Sequence, residues 1–161
     1  MNAPIAPTLF QSVFIVWQHI TRALDALQAL AALVARLYVA YAFFSSGLTK
    51  LRDWGTTVAL FTDEYKVPLL PPEVAAATGT AGELLLPVLL VLGLGGRFSA
   101  LGLSVINIVA VISLSEIAPA ALQQHMTWGV LLAGLAIYGC DKYALDHVIV
   151  PTILRRGEMR T

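Results

Sequence analysis

The chain has 161 residues, 58% of them hydrophobic and only 12% charged, about half the charged share of ordinary soluble domains. Its mean hydropathy is +0.77 and its formal net charge is zero. So few charges cannot coat a soluble domain. The balance also excludes disorder and gives no field to hold nucleic acid, and one cysteine excludes disulfide frameworks, dithiol relays and multi-Cys zinc sites. A single small integral membrane domain remains.

The first element falls within residues 1–26. Between Leu9 and Ile20, apolar residues recur at helical spacing (Leu9, Phe10, Val13, Phe14, Val16, Trp17, Ile20), broken by Gln11, Ser12, Gln18 and His19. The stretch is too short to cross a bilayer, and it lacks the basic start and small-residue cleavage site of a signal peptide. It predicts an amphipathic helix in the membrane interface, anchored by Trp17. A tilted fifth span continuing into Ala23–Leu30 is the alternative.

A helix crossing a ~30 Å hydrocarbon core needs about 20 largely apolar residues. Four stretches qualify: Leu27–Thr49, Val74–Leu94, Phe98–Ser115 and Leu122–Cys140. They are rich in Ala, Leu and Gly and show no period-two alternation, which excludes membrane strands. The expected fold is all-α, a four-helix transmembrane bundle of up-down topology over residues 27–147. An interfacial segment precedes it and a basic tail, residues 148–161, follows. The first loop, residues 50–73, holds Trp54, Phe61, Tyr65, Pro68, Pro71 and Pro72, the pattern of a structured interfacial segment with a short helix over Thr57–Tyr65. The glycine-rich connection Gly93–Arg97 makes spans two and three antiparallel neighbours.

Basic residues orient the chain. Arg22, Arg97, Lys142, Arg155, Arg156 and Arg160 lie on one side, and Lys50, Arg52 and Lys66 on the other. The positive-inside rule then places both termini in the cytoplasm of a bacterial inner membrane.

Of the 20 charged residues, only Arg36 and Glu83 fall inside the four stretches. An ionisable group in the hydrocarbon region usually faces the bundle interior or a wet cavity. Counted from the outer ends, Arg36 lies about 20 Å deep and Glu83 about 14 Å, an offset that a long arginine closes by snorkelling. An Arg36–Glu83 ion pair is expected, either as a clamp between helices or as a site for a polar ligand, a proton or a quinone head group. Asn107 lies mid-span and needs a hydrogen-bond partner. His125, near the outer end of the fourth stretch, is either an interfacial histidine or a second polar partner for Glu83. Lys50, Asp53 and Trp54 open the first loop as an outer-loop site.

Each stretch carries one stripe of small and polar residues suited to helix contacts: Arg36, Phe43, Gly47 and Lys50; Ala75, Gly79, Glu83 and Pro87; Ala100, Ser104, Asn107 and Val111; His125, Trp128, Gly129, Leu132 and Ala136. With His19 and His147 on the opposite side from His125, no metal site is expected. Cys140 reads as an inert, membrane-embedded residue.

These residues, taken in order, resemble the DoxX family of small four-helix membrane proteins. Arg36 is followed by Phe43-Phe44-Ser45-Ser46-Gly47-Leu48-Thr49-Lys50-Leu51, similar to the family's Phe-x-x-x-Gly-x-x-Lys-Leu segment. Thr57, Phe61 and Pro68 come next, then Glu83, Leu92-Gly93-Leu94 and Arg97, and finally Gly139 through Tyr143 with Asp146. The resemblance covers about residues 30–147. Cys140, Asp141 and Ala144 depart from the family's ending, and the fourth stretch lacks a carboxylate that many members carry.

The resemblance implies a membrane part of a redox, sulfur-handling or stress-response system. Three functions follow as expectations. One is an accessory or anchoring subunit that docks membrane or periplasmic proteins. Another is a quinone-interacting subunit of an oxidoreductase of the thiosulfate:quinone type, with electrons supplied by a partner. The third is a small transporter, for which no inverted repeat or pair of broken helices is visible. Quinone is the one cofactor the resemblance brings into view, and enzymatic activity is left open. The implied partners are the lipid bilayer, membrane or periplasmic proteins and further copies of the chain.

Overall fold

Helix α1 (Leu9–Arg52) runs unbroken for 44 residues in the computed structural model, which describes residues 9–139. No glycine or proline occurs between Leu9 and Ser46, and the alanine-rich middle favours helix, so nothing in the sequence stops it. The separate interfacial helix expected before residue 27 is therefore not present. Its described residues are the first turns of α1. At 1.5 Å per residue α1 is about 66 Å long, twice a hydrocarbon core. The tail over residues 148–161, Cys140 and the stretch from Asp141 to Asp146 lie outside the described residues.

Helix α2 (Trp54–Asp63) is the short loop helix, starting three residues earlier than expected. Helix α3 (Pro72–Leu92) begins at the second proline of the Pro71-Pro72 pair, where a missing N–H costs nothing. Helices α4 (Gly96–Ser113) and α5 (Pro119–Tyr138) complete the set, and no strand occurs among the described residues. The α3–α4 turn needs Gly93 and Gly95, whose φ values of 69° and 55° are left-handed.

Three described helices, α1, α3 and α4, are long and apolar enough to cross a membrane. Helix α5 has the length, but Gln123, Gln124 and His125 make its first half polar.

Helix α1 packs on α3, α3 on α4, α4 on α5, and α5 returns to α1, while α2 lies across α3 and the end of α1. The core is built from every member of this ring: Val39 and Phe43, Leu90, Ala100 and Leu103, and Leu132 and Leu135. A smaller cluster of Phe61, Ala75 and Ala76 seats α2. The outward residues Leu85, Val88, Leu101, Val105, Ile108 and Val130 are apolar and exposed, as lipid contact requires. Gly47 lets α3 pack tightly on α1. A Cβ there would stand 2.9 Å from Leu84 Cγ and 3.2 Å from Glu83 Cβ, so the Leu84 and Glu83 side chains of α3 pack directly onto the α1 backbone.

Candidate functional site

The backbone approach at Gly47 fixes the level of Glu83 on α3 against the last turn of α1. Lys50 lies three residues beyond Gly47 on the same face. Its Nζ donates to both carboxylate oxygens of Glu83, at 2.5 and 2.6 Å, and lies 3.4 Å from Ser46 Oγ. The Glu83 side chain is 8% exposed and that of Lys50 21%. This is a bidentate, charge-assisted contact in a low-dielectric setting, the strong kind of polar interaction.

The pair forms the floor of a cavity of about 240 Å³ between α2, α3 and α4. Phe61 and Tyr65, with ring centres 5.0 Å apart, form one wall, Ile106 and Val109 of α4 another, and Gly79 opens the space beside Glu83. The segment after α2 is held over the cavity by a bond from Lys66 N–H to the Ser113 carbonyl, 2.8 Å, within an isolated bridge pairing Tyr65 with Leu114. Burial first, then the charges of Glu83 and Glu64, push the Tyr65 phenol above its ordinary range. It stays a neutral hydroxyl on a residue that lines the same cavity as the charged pair. Apolar walls with a few convergent polar groups are the usual composition of a small-molecule site.

Arg36 does not reach this cavity. The expected Arg36–Glu83 pair is replaced by two separate contacts. Arg36 precedes Gly47 by eleven residues, about 16 Å along the axis. Its Nε donates to the Leu90 carbonyl at 3.0 Å and its Nη2 to the Val91 carbonyl at 2.5 Å. Those carbonyls belong to the last turn of α3, which carries the negative end of the helix dipole; the Leu90 carbonyl also accepts from the capping Gly93 N–H at 3.2 Å. Arg36 is 1% exposed, and its Nη1 has no partner among the described residues. Depth counted from sequence ends misplaced it, because α1 continues to Arg52 and the packing at Gly47, not the loop ends, sets the register.

Asn107 and His125 partner each other rather than Glu83. The Asn107 Nδ2 donates to the His125 carbonyl at 2.9 Å, and Asn107 Oδ1 lies 2.8 Å from His125 Nδ1. A carbonyl only accepts, so the amide nitrogen must face it. The amide oxygen then faces the ring, and His125 carries its proton on Nδ1. His125 stands edge-on to Trp128, which tilts against Phe43, linking α4 through α5 to α1. The expected polar set of Arg36, Glu83, Asn107 and His125 is thus three sites: a helix cap, a charged cavity and an interhelical lock.

The outer-loop set also divides. Lys50 joins Glu83. Asp53 caps α2, accepting from Thr56 N–H at 3.0 Å and Thr56 Oγ1 at 2.7 Å. The Thr56 backbone bond, then its hydroxyl, hold the Asp53 carboxyl below its ordinary range. Trp54 is exposed and borders a shallow apolar hollow with Ala77, Thr80 and Leu84. Thr57 fastens α2 to α1, its Oγ1 placed 2.9 Å from the carbonyls of Lys50 and Asp53.

Tyr65, Phe61 and Ser113 were not expected as site residues. The signal for Lys50 was present, since it ended the same α1 stripe as Arg36 and Gly47. Nothing in the sequence indicated that residues 64–66 fold back onto the end of α4.

Comparison with known proteins follows the same outline. The DoxX family model matches residues 31–116, just over half of the chain. A protein of Haemophilus influenzae, described as uncharacterized, is 30% identical over 126 residues, which cover 73% of this chain and 82% of the relative. No solved structure matches. The matched segment contains the α1–α3 contact, the Lys50–Glu83 pair and the whole cavity, and the chain belongs to the DoxX family.

Proposed function

We propose that this membrane protein is an accessory subunit of a membrane redox system, and that the Lys50–Glu83 cavity receives the ring of a quinone-type ligand. The observation behind this reading is a charged, hydrogen-bonding floor beneath an aromatic and aliphatic chamber of about 240 Å³. That is below the ~300 Å³ at which drug-sized pockets begin and suits one head group with its tail in lipid. Lys50 would donate to a ring carbonyl. Glu83 is a carboxylate within reach of the same space, the group type that passes protons in membranes. Two electrons and two protons convert quinone to quinol, so the electrons come from a partner protein in the membrane or periplasm.

A short-chain ubiquinone analogue titrated into full-length protein in nanodiscs tests the ligand. Saturable binding that weakens at least tenfold in Lys50→Met and in Glu83→Gln is the expected result. Absence of saturable binding removes the quinone reading. The accessory role is tested separately by mild-detergent co-purification and fails if no protein accompanies the chain.

The same reading makes α5 the fourth crossing of an up-down bundle, with both termini cytoplasmic in the inner membrane. The ring of contacts that brings α5 back onto α1 supports it, as does the excess of basic residues on one side. Reporter fusions after Asp63, Gly95 and Glu116 should report outside, inside and outside. Any other pattern removes this topology.

A further inference from the structure

Among the described residues, helix α1 outruns its neighbours. Gln28 and Tyr138, the last residue of α5, line the same groove, so Leu9–Leu27 continues past the end of α5 for about 28 Å. Without a glycine or proline to bend it, this stretch follows the axis of the membrane-crossing part and leaves the hydrocarbon. Yet it carries a continuous apolar stripe. Phe10, Val13, Trp17, Ile20, Leu24 and Leu27 are spaced 3, 4, 3, 4 and 3 residues apart and are 47% to 81% exposed. The same register continues through Ala31 and Val34. Gln11, Gln18 and Asp25 follow the first seam position of each heptad, with Ser12, His19 and Arg22 beyond them, while Phe14, Ile15, Val16 and Leu30 add exposed apolar surface beside the stripe.

We propose that this stripe is a coiled-coil seam through which neighbouring copies of the chain associate in parallel. A 3–4 repeat sustained over eight positions is the pattern that knobs-into-holes packing buries. The membrane dictates the orientation, because copies inserted with one topology hold their α1 helices parallel and in register. The stripe presents on the order of 800 Å² of apolar surface, about what one partner contributes to a stable interface. The first seam positions are Phe10, Trp17, Leu24 and Ala31 and the second Val13, Ile20, Leu27 and Val34, so every layer of the seam is apolar. Ala31, small and next to the groove between α1 and α5, lets the helices approach where they enter the bilayer. The surface is independent of the Lys50–Glu83 cavity, which lies at the other end of α1.

Site-directed cross-linking in native membranes tests it. In a full-length Cys140→Ser background, Leu24→Cys and Leu27→Cys should give covalent oligomers on mild oxidation or with a short bismaleimide, and Gln18→Cys and Asp25→Cys should not. In mild detergent the unmodified protein should run at a multiple of 17.2 kDa, and Leu24→Asp should run as the monomer. Equal cross-linking at seam and control positions overturns the proposal. So does a monomeric mass without seam cross-links, whether the seam cysteines are then open to a water-soluble maleimide or shielded by lipid or by the chain's own C-terminal segment. Quinone-analogue binding is a separate readout that Leu24→Asp should leave unchanged.

Discussion

Lys50→Met should destabilise the protein by about 3–5 kcal/mol, the cost of leaving a buried charge without its partner. The Glu83 side chain is 8% exposed and receives both of its short bonds from one ammonium, so removing Lys50 strands it. Glu83→Gln should cost less. Lys50 is 21% exposed and can draw in water, and the amide oxygen still accepts one bond. The double variant Lys50→Met with Glu83→Met should recover most of the loss, since a well-packed apolar pair commonly equals a buried ion pair in stability. Unfolding of the three variants in one detergent measures this. If the single losses simply add in the double variant, the two residues do not act as a pair. If the double variant folds well and still binds the quinone analogue, the pair is architectural and the ligand reading fails.

Arg36→Ala should be comparably severe, at about 3–5 kcal/mol, for a different reason. Hydrogen bonds to a charged group contribute roughly 1.5–3 kcal/mol each, and Arg36 makes two, to Leu90 and Val91. It is also among the largest fully buried side chains, so truncation leaves a cavity as well. Relief from burying a guanidinium with one unpartnered nitrogen offsets part of the loss. Arg36→Lys keeps the cation at the α3 terminus but loses the fork that reaches two carbonyls, and should cost less than Arg36→Ala. The discriminating outcome is the cavity. Quinone-analogue affinity in folded Arg36→Lys should match the parent, because Arg36 lies about 16 Å from the Glu83 level. A tenfold loss of affinity there would mean the two sites communicate.

The asymmetry between these residues explains how far the sequence could be read. Arg36 and Glu83 were singled out because a charge inside a hydrophobic stretch is expensive and must be compensated. That argument requires a partner but does not name it. The backbone itself supplied the partner for Arg36, since the last turn of any helix leaves carbonyls free. Lys50 stood at the edge of its stretch, where a lysine ordinarily faces water. The glycine at position 47 decided otherwise by letting α3 come close enough for Lys50 to turn inward. Asn107 needed a hydrogen-bond partner and meets His125 of α5. His125 meets Asn107 because α4 and α5 adjoin, a fact about neighbours rather than about either helix.

The sequence by itself determined the class of the protein and most of its helices. Composition excluded a soluble domain, hydrophobic length located the membrane stretches, and proline and glycine set where α3 and α4 begin. These are local properties, governed by the interaction of each residue with its own backbone and with lipid or water. The order of motifs also carried the family. Only the tertiary structure decided which charges meet, that α1 is one rod rather than two elements, and that the chain after α2 closes over a cavity. Register along a helix pair depends on the closest backbone approach, and α1 and α3 could slide by several turns with little change in their hydropathy patterns. The local sequence is nearly blind to that slide. The contact at Gly47 resolves it, and with it places the site.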